Sequence, residues 1–197
     1  MSVERILEDE LSHRGLTISI EIKRQLCLFA RELLHWNKTV NLTSLQESEL
    51  VRRLLIEPIW IGRELHMSGR VADIGSGNGS PGIPLFLGCG LNRIHVIEAR
   101  ARRVAFLRHV AAKIGGSGIV VHKSRVEELE AFESVDWITL QAVAPSAVLL
   151  RSLQRLFEPP TRVVWITSRR EAPTAAASRI CVRGSQTEAW VFKLDQF

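Results

Sequence analysis

Val71-Ala72-Asp73-Ile74-Gly75-Ser76-Gly77-Asn78-Gly79 reads as a short apolar strand running into a loop with glycine at every second position. Glycine takes left-handed backbone without a Cβ penalty and lets the main chain pass close to a ligand. A helix opening near Pro81 would add the unpaired N–H groups of a helix start beside that loop. Three alternating glycines, Gly75, Gly77 and Gly79, are more than a plain strand-to-helix turn requires.

Two acids flank the loop. Glu98 closes the next apolar run, where a carboxylate can accept both hydroxyls of an adenosine ribose. Asp73 stands just ahead of the glycines, placed to face a ligand's ammonium group directly or through water. Gly77-Asn78-Gly79-Ser80-Pro81-Gly82 also satisfies G-x-G-x-x-G, with Glu98 21 residues after Gly77, which is the spacing of a dinucleotide site. Charge separates the two ligands: Asp73 would oppose a pyrophosphate, whereas a zwitterionic methionine moiety accommodates an acid. Pro81 also removes a backbone N–H that a pyrophosphate would use. The loop is therefore read as a site for S-adenosyl-L-methionine (AdoMet), with an NAD(P)-linked enzyme as the lesser alternative.

Outward from the loop, short apolar runs alternate with helical stretches, the pattern of a parallel sheet covered on both faces. Strands are predicted over Val71 to Ile74, Ile94 to Ile97, Gly118 to Val121, Trp137 to Leu140 and Arg162 to Ile166. Helices are predicted from about Pro81, Arg100, Arg125 and Ser146. Ile180 to Val182 and Ala189 to Phe192 suggest two more strands, an antiparallel pair being one arrangement, and Pro173 to Ala177 reads as a loop. Upstream, Ile18 to Trp36 carries helical spacing, with a shorter helix around Ile6 and Leu11 before it. After a polar turn at Asn37-Lys38-Thr39, a third helix runs through Leu50, Leu54, Leu55 and Ile59, broken or bent near Pro58. The expectation is an α/β Rossmann-like class I methyltransferase with a mostly parallel seven-stranded sheet: a helical extension over 1–65 and an AdoMet-binding domain over 66–197.

The 197 residues, 46% hydrophobic and 24% charged, suffice for one domain with a real core. Cys27, Cys89 and Cys181 are too scattered for a disulfide framework or zinc spacing, and the histidines show no ligand pattern, so no metal is expected. The N-terminus lacks the layout of a secretory signal, and no apolar run approaches the roughly 20 residues that span a bilayer. A cytoplasmic monomer without membrane contact is expected. The net charge of +5 favours encounter with a polyanion such as nucleic acid, and equally describes a mildly basic surface.

Four blocks in order resemble the RsmG, or glucose-inhibited division protein B, family of bacterial small-subunit rRNA guanine-N7 methyltransferases. They are Trp36-Asn37-Lys38-Thr39-Val40-Asn41-Leu42-Thr43-Ser44, the loop from Asp73 through Leu85, Arg103-Val104-Ala105-Phe106-Leu107-Arg108, and Ser124-Arg125-Val126-Glu127-Glu128. The resemblance implies AdoMet contacts at Gly75 and Ser80, ribose binding at Glu98, and adenine near Val126 and Glu127. It implies ribosomal RNA, or the small ribosomal subunit, as partner.

Several positions depart from the family pattern. Arg53-Leu54-Leu55-Ile56-Glu57 replaces His-Ile-Leu-Asp-Ser. Gln141 replaces an arginine that serves the cofactor site. Thr167-Ser168 replaces a lysine-glycine pair, and Ser80 stands where a bulkier apolar residue is common. Asn41, Arg52 and Arg53 are candidate RNA contacts because the resemblance brings them near the cofactor mouth, and Arg169 and Arg170 are candidates to replace the missing lysine. Arg100, Arg102, Arg103 and Arg108 read slightly better as a solvated helix face. Trp36 and Trp60 read as core. A divergent relative that binds AdoMet or RNA without this reaction is the alternative that Gln141 and Thr167 raise.

Overall fold

The computed structural model describes residues 2–143, 146–168 and 177–196. Helices α1 (Val3–His13), α2 (Ile20–Val40), α3 (Glu47–Leu50) and α4 (Glu57–Glu64) precede strand β1 (Arg70–Ile74). Then follow α5 (Gly82–Cys89), β2 (Arg93–Glu98), α6 (Ala101–Lys113), β3 (Ile119–Lys123), β4 (Trp137–Gln141), α7 (Ala147–Leu156), β5 (Arg162–Thr167), β6 (Ser178–Cys181) and β7 (Glu188–Lys193). The seven strands form one sheet in the order β3-β2-β1-β4-β5-β7-β6. β1 to β5 run parallel, while β7 is antiparallel to both β5 and β6.

All five predicted parallel strands form, and the terminal pair is antiparallel. Three local expectations are corrected. The Asn37-Lys38-Thr39 segment is not a turn but the last turn of α2, which ends at Asn41 with φ 54°. Asparagine tolerates that left-handed conformation, so it terminates the helix where the polar composition alone suggested an earlier stop. The third helix is disturbed upstream of Pro58, by a π-helical segment over Val51–Ile56. No helix runs from Arg125: a single 3-10 turn, Val126–Glu128, is followed by extended chain. There Arg155 of α7 donates to the carbonyls of Glu127 and Leu129 at 3.2 and 2.7 Å, groups that a continuing helix would have satisfied internally. Most of the Pro173 to Ala177 expectation lies outside the described residues.

Two apolar clusters sandwich the sheet. One joins α1, α2 and α4 with α5, α6 and one sheet face, through Leu26, Phe29, Leu33, Ile59 and Phe106 among others. The other seats α7 on the opposite face, through Leu150, Leu153, Ile138 and Val163. The helical lead-in thus shares its core with the sheet. Trp36 packs on Phe106 and His109 at ring distances of 5.8 and 5.2 Å, a packing role rather than a base platform. β1 lies mid-sheet, β2 and β3 on one side and β4 and β5 on the other, so the carboxyl ends of β1 and β4 flank the crevice where such sheets bind ligands.

Candidate active site

The loop after β1 is shaped by its own hydrogen bonds. The N–H groups of Gly75 and Ser76 both donate to the Ile97 carbonyl of β2, at 2.8 and 3.0 Å. The Ser76 hydroxyl donates to the Asp73 carbonyl at 2.8 Å. Gly75 and Gly77 have φ of 70° and 52°, and a Cβ on Gly77 would sit 3.3 Å from Arg103 Nη1. The Glu98 carboxylate, buried at the end of β2, accepts from Gly77 N through Oε2 at 3.0 Å and from Arg100 N through Oε1 at 2.8 Å. Each oxygen keeps a second lone pair toward the cavity, enough for two ribose hydroxyls.

That cavity, about 820 Å³, crosses the carboxyl edge of the sheet. At one end are Glu98, Arg100, Arg103, Val126 and Glu127; at the other are Ser80, Gln141, Thr167, Ser168 and Thr187; Arg53 and Leu54 contribute from the helical layer. Of the predicted cofactor residues, Gly75, Gly77, Ser80, Glu98, Val126, Glu127 and Gln141 line this one space.

Asp73 and Gly79 do not. Asp73 is fully buried beneath the loop, where Thr139 Oγ1 donates to its Oδ1 at 2.8 Å and Oδ2 has no partner. Burial pushes its carboxyl up to about 6, against the lowering effect of the Thr139 bond. A Cβ on Gly79 would meet Ile83, Leu107 and Phe29, so Gly79 faces the core. A Cβ on Gly82 would meet Asp73 Oδ2 at 2.8 Å, which closes α5's first residue off from a dinucleotide as well. Strand alternation is the reason for Asp73: its neighbour Ile74 takes the cavity side.

The predicted RNA contacts divide in the same way. Arg53 lines the cavity, whereas Arg52 turns toward Glu49 and the buried Glu57, its Nε 4.0 Å from Glu57 Oε1. Asn41 ends α2 and is exposed, outside the cavity wall. Arg169 and Arg170 lie outside the described residues. Among the described residues, no group of three or more His, Cys, Asp or Glu side chains is arranged to hold a metal, and no helix is long and apolar enough to cross a membrane.

Two positioning roles escaped the sequence reading: that of Asn37, and that of Ser80, which the sequence marks only as an AdoMet contact. The Asn37 side chain accepts from Leu42 N and Thr43 N at 2.6 and 2.9 Å and donates to Thr43 O at 2.8 Å, clamping the loop that carries Leu42, Ser44 and Leu45 to the cavity rim. Asn78 reaches the same loop, its Nδ2 3.4 Å from Leu42 O. The signal was the pair Asn37 and Asn41 around a helix end, read then as a simple turn. Ser80 is the second. Pro58 has no N–H for the Leu54 carbonyl four residues back, and the Ser80 hydroxyl donates to that carbonyl at 2.8 Å while lying 2.9 Å from the Gln141 amide.

A sheet of this order with antiparallel β7, a glycine loop after β1 and an acid ending β2 defines a Rossmann-like class I methyltransferase. The putative methyltransferase yhhF from Escherichia coli shares the fold at TM-score 0.53 and 10% identity, over 68% of this chain and 79% of that one. An RNA methyltransferase from Salinibacter ruber, solved with S-adenosyl-L-homocysteine, superposes at TM-score 0.51 and 21% identity, over 64% and 80%.

The family is narrower than the fold. The family model described as rRNA small subunit methyltransferase G matches residues 22–193, and the chain belongs to that family. Ribosomal RNA small subunit methyltransferase G of Wolinella succinogenes is 30% identical over 83% of this chain and 84% of its own, and that of Granulibacter bethesdensis is 32% identical over 92% and 89%. The chain is an AdoMet-dependent rRNA methyltransferase, and its cavity residues fit that cofactor: a Cβ-free cradle at Gly75 and Gly77 beside a buried acceptor pair on Glu98.

Proposed function

We propose that the chain methylates N7 of a guanine in small-subunit ribosomal RNA. The observation that carries this reading is the composition of the cavity wall. Among the described residues, its charged members are Arg53, Arg100, Arg103, Arg125, Glu98 and Glu127, with no His, Lys, Asp or Cys, and both carboxylates sit at the end opposite Gln141. The wall near Gln141 therefore offers no general base. Guanine N7 carries a lone pair in the neutral base and needs none, unlike a hydroxyl or an exocyclic amine.

When bound, AdoMet supplies an electrophilic methyl group on a sulfonium. Glu98 would hold the ribose, Val126 and the Glu127 turn the adenine, and the Gly75 and Gly77 backbone the path between them and Ser80. What the protein adds is orientation, which supplies about 7–11 kcal/mol in well-aligned systems. The Leu42 to Leu45 loop, clamped by Asn37, forms the rim across which a splayed base would enter, with Asn41 beside it. Arg100 and Arg102, exposed at the start of α6, would supply phosphate contacts that position an RNA without reading its sequence.

The test is transfer of labelled methyl from AdoMet to small subunits and naked rRNA from cells lacking this gene, followed by mapping of the label. Label on a guanine N7 supports the proposal. Label elsewhere, or none from protein that binds AdoMet, overturns it and favours a relative whose Gln141 and Thr167 have changed the reaction.

A further inference from the structure

Arg52 and Glu57 meet because the helix between them is π-helical. Residues five apart lie about 140° from each other around an α-helix, on different faces, whereas the i to i+5 bonding of a π-turn stacks them. At the end of the Val51–Ile56 segment the Glu57 N–H donates to the Arg52 carbonyl, and Arg52 Nε lies 4.0 Å from Glu57 Oε1. The backbone bond and the ion pair join the same two residues.

Glu57 is fully buried and has a second cation beside it. Arg14, which caps α1, places Nη2 3.4 Å from Glu57 Oε1, and its Nη1 donates at 3.2 Å to the Arg183 carbonyl in the turn between β6 and β7. A buried carboxylate is costly unless cations face it. Both arginines are therefore drawn to Glu57, Arg52 by charge alone, since its Nε makes no hydrogen bond.

Arg53 is the next residue, and consecutive helical side chains leave the axis in different directions. With Arg52 turned to Glu57, Arg53 takes the cavity side, where it shares the wall with Leu42, Ser44, Leu45 and Leu54. Among the described residues no carboxylate lies within 4.0 Å of its guanidinium, whereas Arg52 has two and Arg103, at the other end of the cavity, has Glu98 at 3.9 Å. The Leu42 to Leu45 rim is the one proposed for base entry, and an entering nucleotide brings a phosphate with it. Arg53 and Glu57 occur together here in place of the His and Ser of the family pattern.

We infer that Glu57 is a positioning residue for RNA binding: it holds Arg52 and Arg14, fixes the π-helical segment, and so presents Arg53 to a backbone phosphate of the entering RNA. The inference rests on rRNA as the substrate, not on N7 as the atom methylated. A guanidinium matches a phosphate through paired charge-assisted bonds, and each phosphate so neutralised steepens the salt dependence of binding.

The test is methyl-transfer kinetics of the full chain on small subunits from cells lacking this gene, with calorimetry against S-adenosylhomocysteine alongside. R53M should raise KM for the subunit by about tenfold, reduce the slope of log KM against log salt by about one, and leave S-adenosylhomocysteine affinity near the wild-type value. E57Q and R52M should each raise KM by about threefold or more alone and add nothing in the R53M background, whereas general damage to the fold, or a phosphate contact by Arg52 itself, would add the same factor in both. R52M leaves the Glu57–Arg14 pair in place, so it carries the comparison even where E57Q does not fold. The inference is overturned if R53M leaves KM and its salt slope unchanged, if R53M instead weakens S-adenosylhomocysteine and so assigns Arg53 to the cofactor, or if R52M costs as much with R53M as without it. Label on an atom other than N7 would overturn the proposed function and leave this comparison intact; wild-type protein that labels no rRNA would overturn both.

Discussion

The Ser80 hydroxyl donates to the carbonyl of Leu54 at 2.8 Å, so the glycine loop is fastened to the helical layer at the point where Pro58 leaves a carbonyl without its helical partner. Ser80 is 5% exposed and the bond lies inside the fold, so its loss leaves a buried acceptor with no donor.

Replacing Ser80 by Ala is expected to cost about 1–3 kcal/mol of stability, the range for an orphaned buried polar group. It should also free the Gln141 amide to turn, weakening S-adenosylhomocysteine. Urea unfolding and calorimetry on the same preparation check both, and a fully stable S80A with unchanged affinity would show that the fastening is dispensable.

Gly77 and Gly79 should fail differently. Gly77 faces the cavity at φ 52°, so G77A forces an alanine into left-handed backbone at about 1–2 kcal/mol and narrows the cradle, with affinity falling by about tenfold. In G79A, where φ of 87° carries the same backbone strain, the new methyl also meets Ile83 Cδ1 at 2.8 Å and Leu107 Cδ2 at 3.2 Å, and strain and overpacking together lower stability by about 2–5 kcal/mol. A larger affinity loss in G79A than in G77A would contradict the orientation of the loop.

Asp73 carries a pH signature. Its carboxyl titrates at about 6 in the fold against 3.8 in the unfolded chain, so the folded state holds the proton more tightly. The associated stability is fully present below pH 3.8 and is lost as pH rises through about 6, a difference of about 3 kcal/mol. D73N should flatten this component between pH 4 and 6 in denaturant titrations. An identical pH dependence in both proteins would remove burial as the governing effect on Asp73.

The Asn37 clamp acts on the rim rather than on the cavity floor. N37A removes the acceptor for Leu42 N and Thr43 N, and is expected to raise KM for RNA by about fivefold while S-adenosylhomocysteine affinity stays near the wild-type value. An equal loss in both measurements would mean that the variant has disturbed the whole site.

Much of this was legible beforehand. Short continuous apolar runs located β1 to β5, because parallel strands buried on both faces leave unbroken apolar sequence. Seven of the nine proposed cofactor residues line one cavity, since a glycine loop and the ends of neighbouring strands meet on the same edge of any such sheet. Asp73 was misread because its motif position says nothing of which face of β1 its side chain takes. Arg52 and Arg53 were indistinguishable for a similar reason: the π-helical segment that sends one to Glu57 and the other to the cavity has no local sequence signature.

The sequence alone determined the fold class, the cofactor and the family, because these reside in local patterns: strand spacing, the alternating glycines, and Glu98 at the next strand's end. Only the tertiary structure decided which charges face the ligand. The link between Pro58, Leu54, Ser80 and Gln141 spans four separate elements, and its partners are chosen by which donors and acceptors packing leaves unmet.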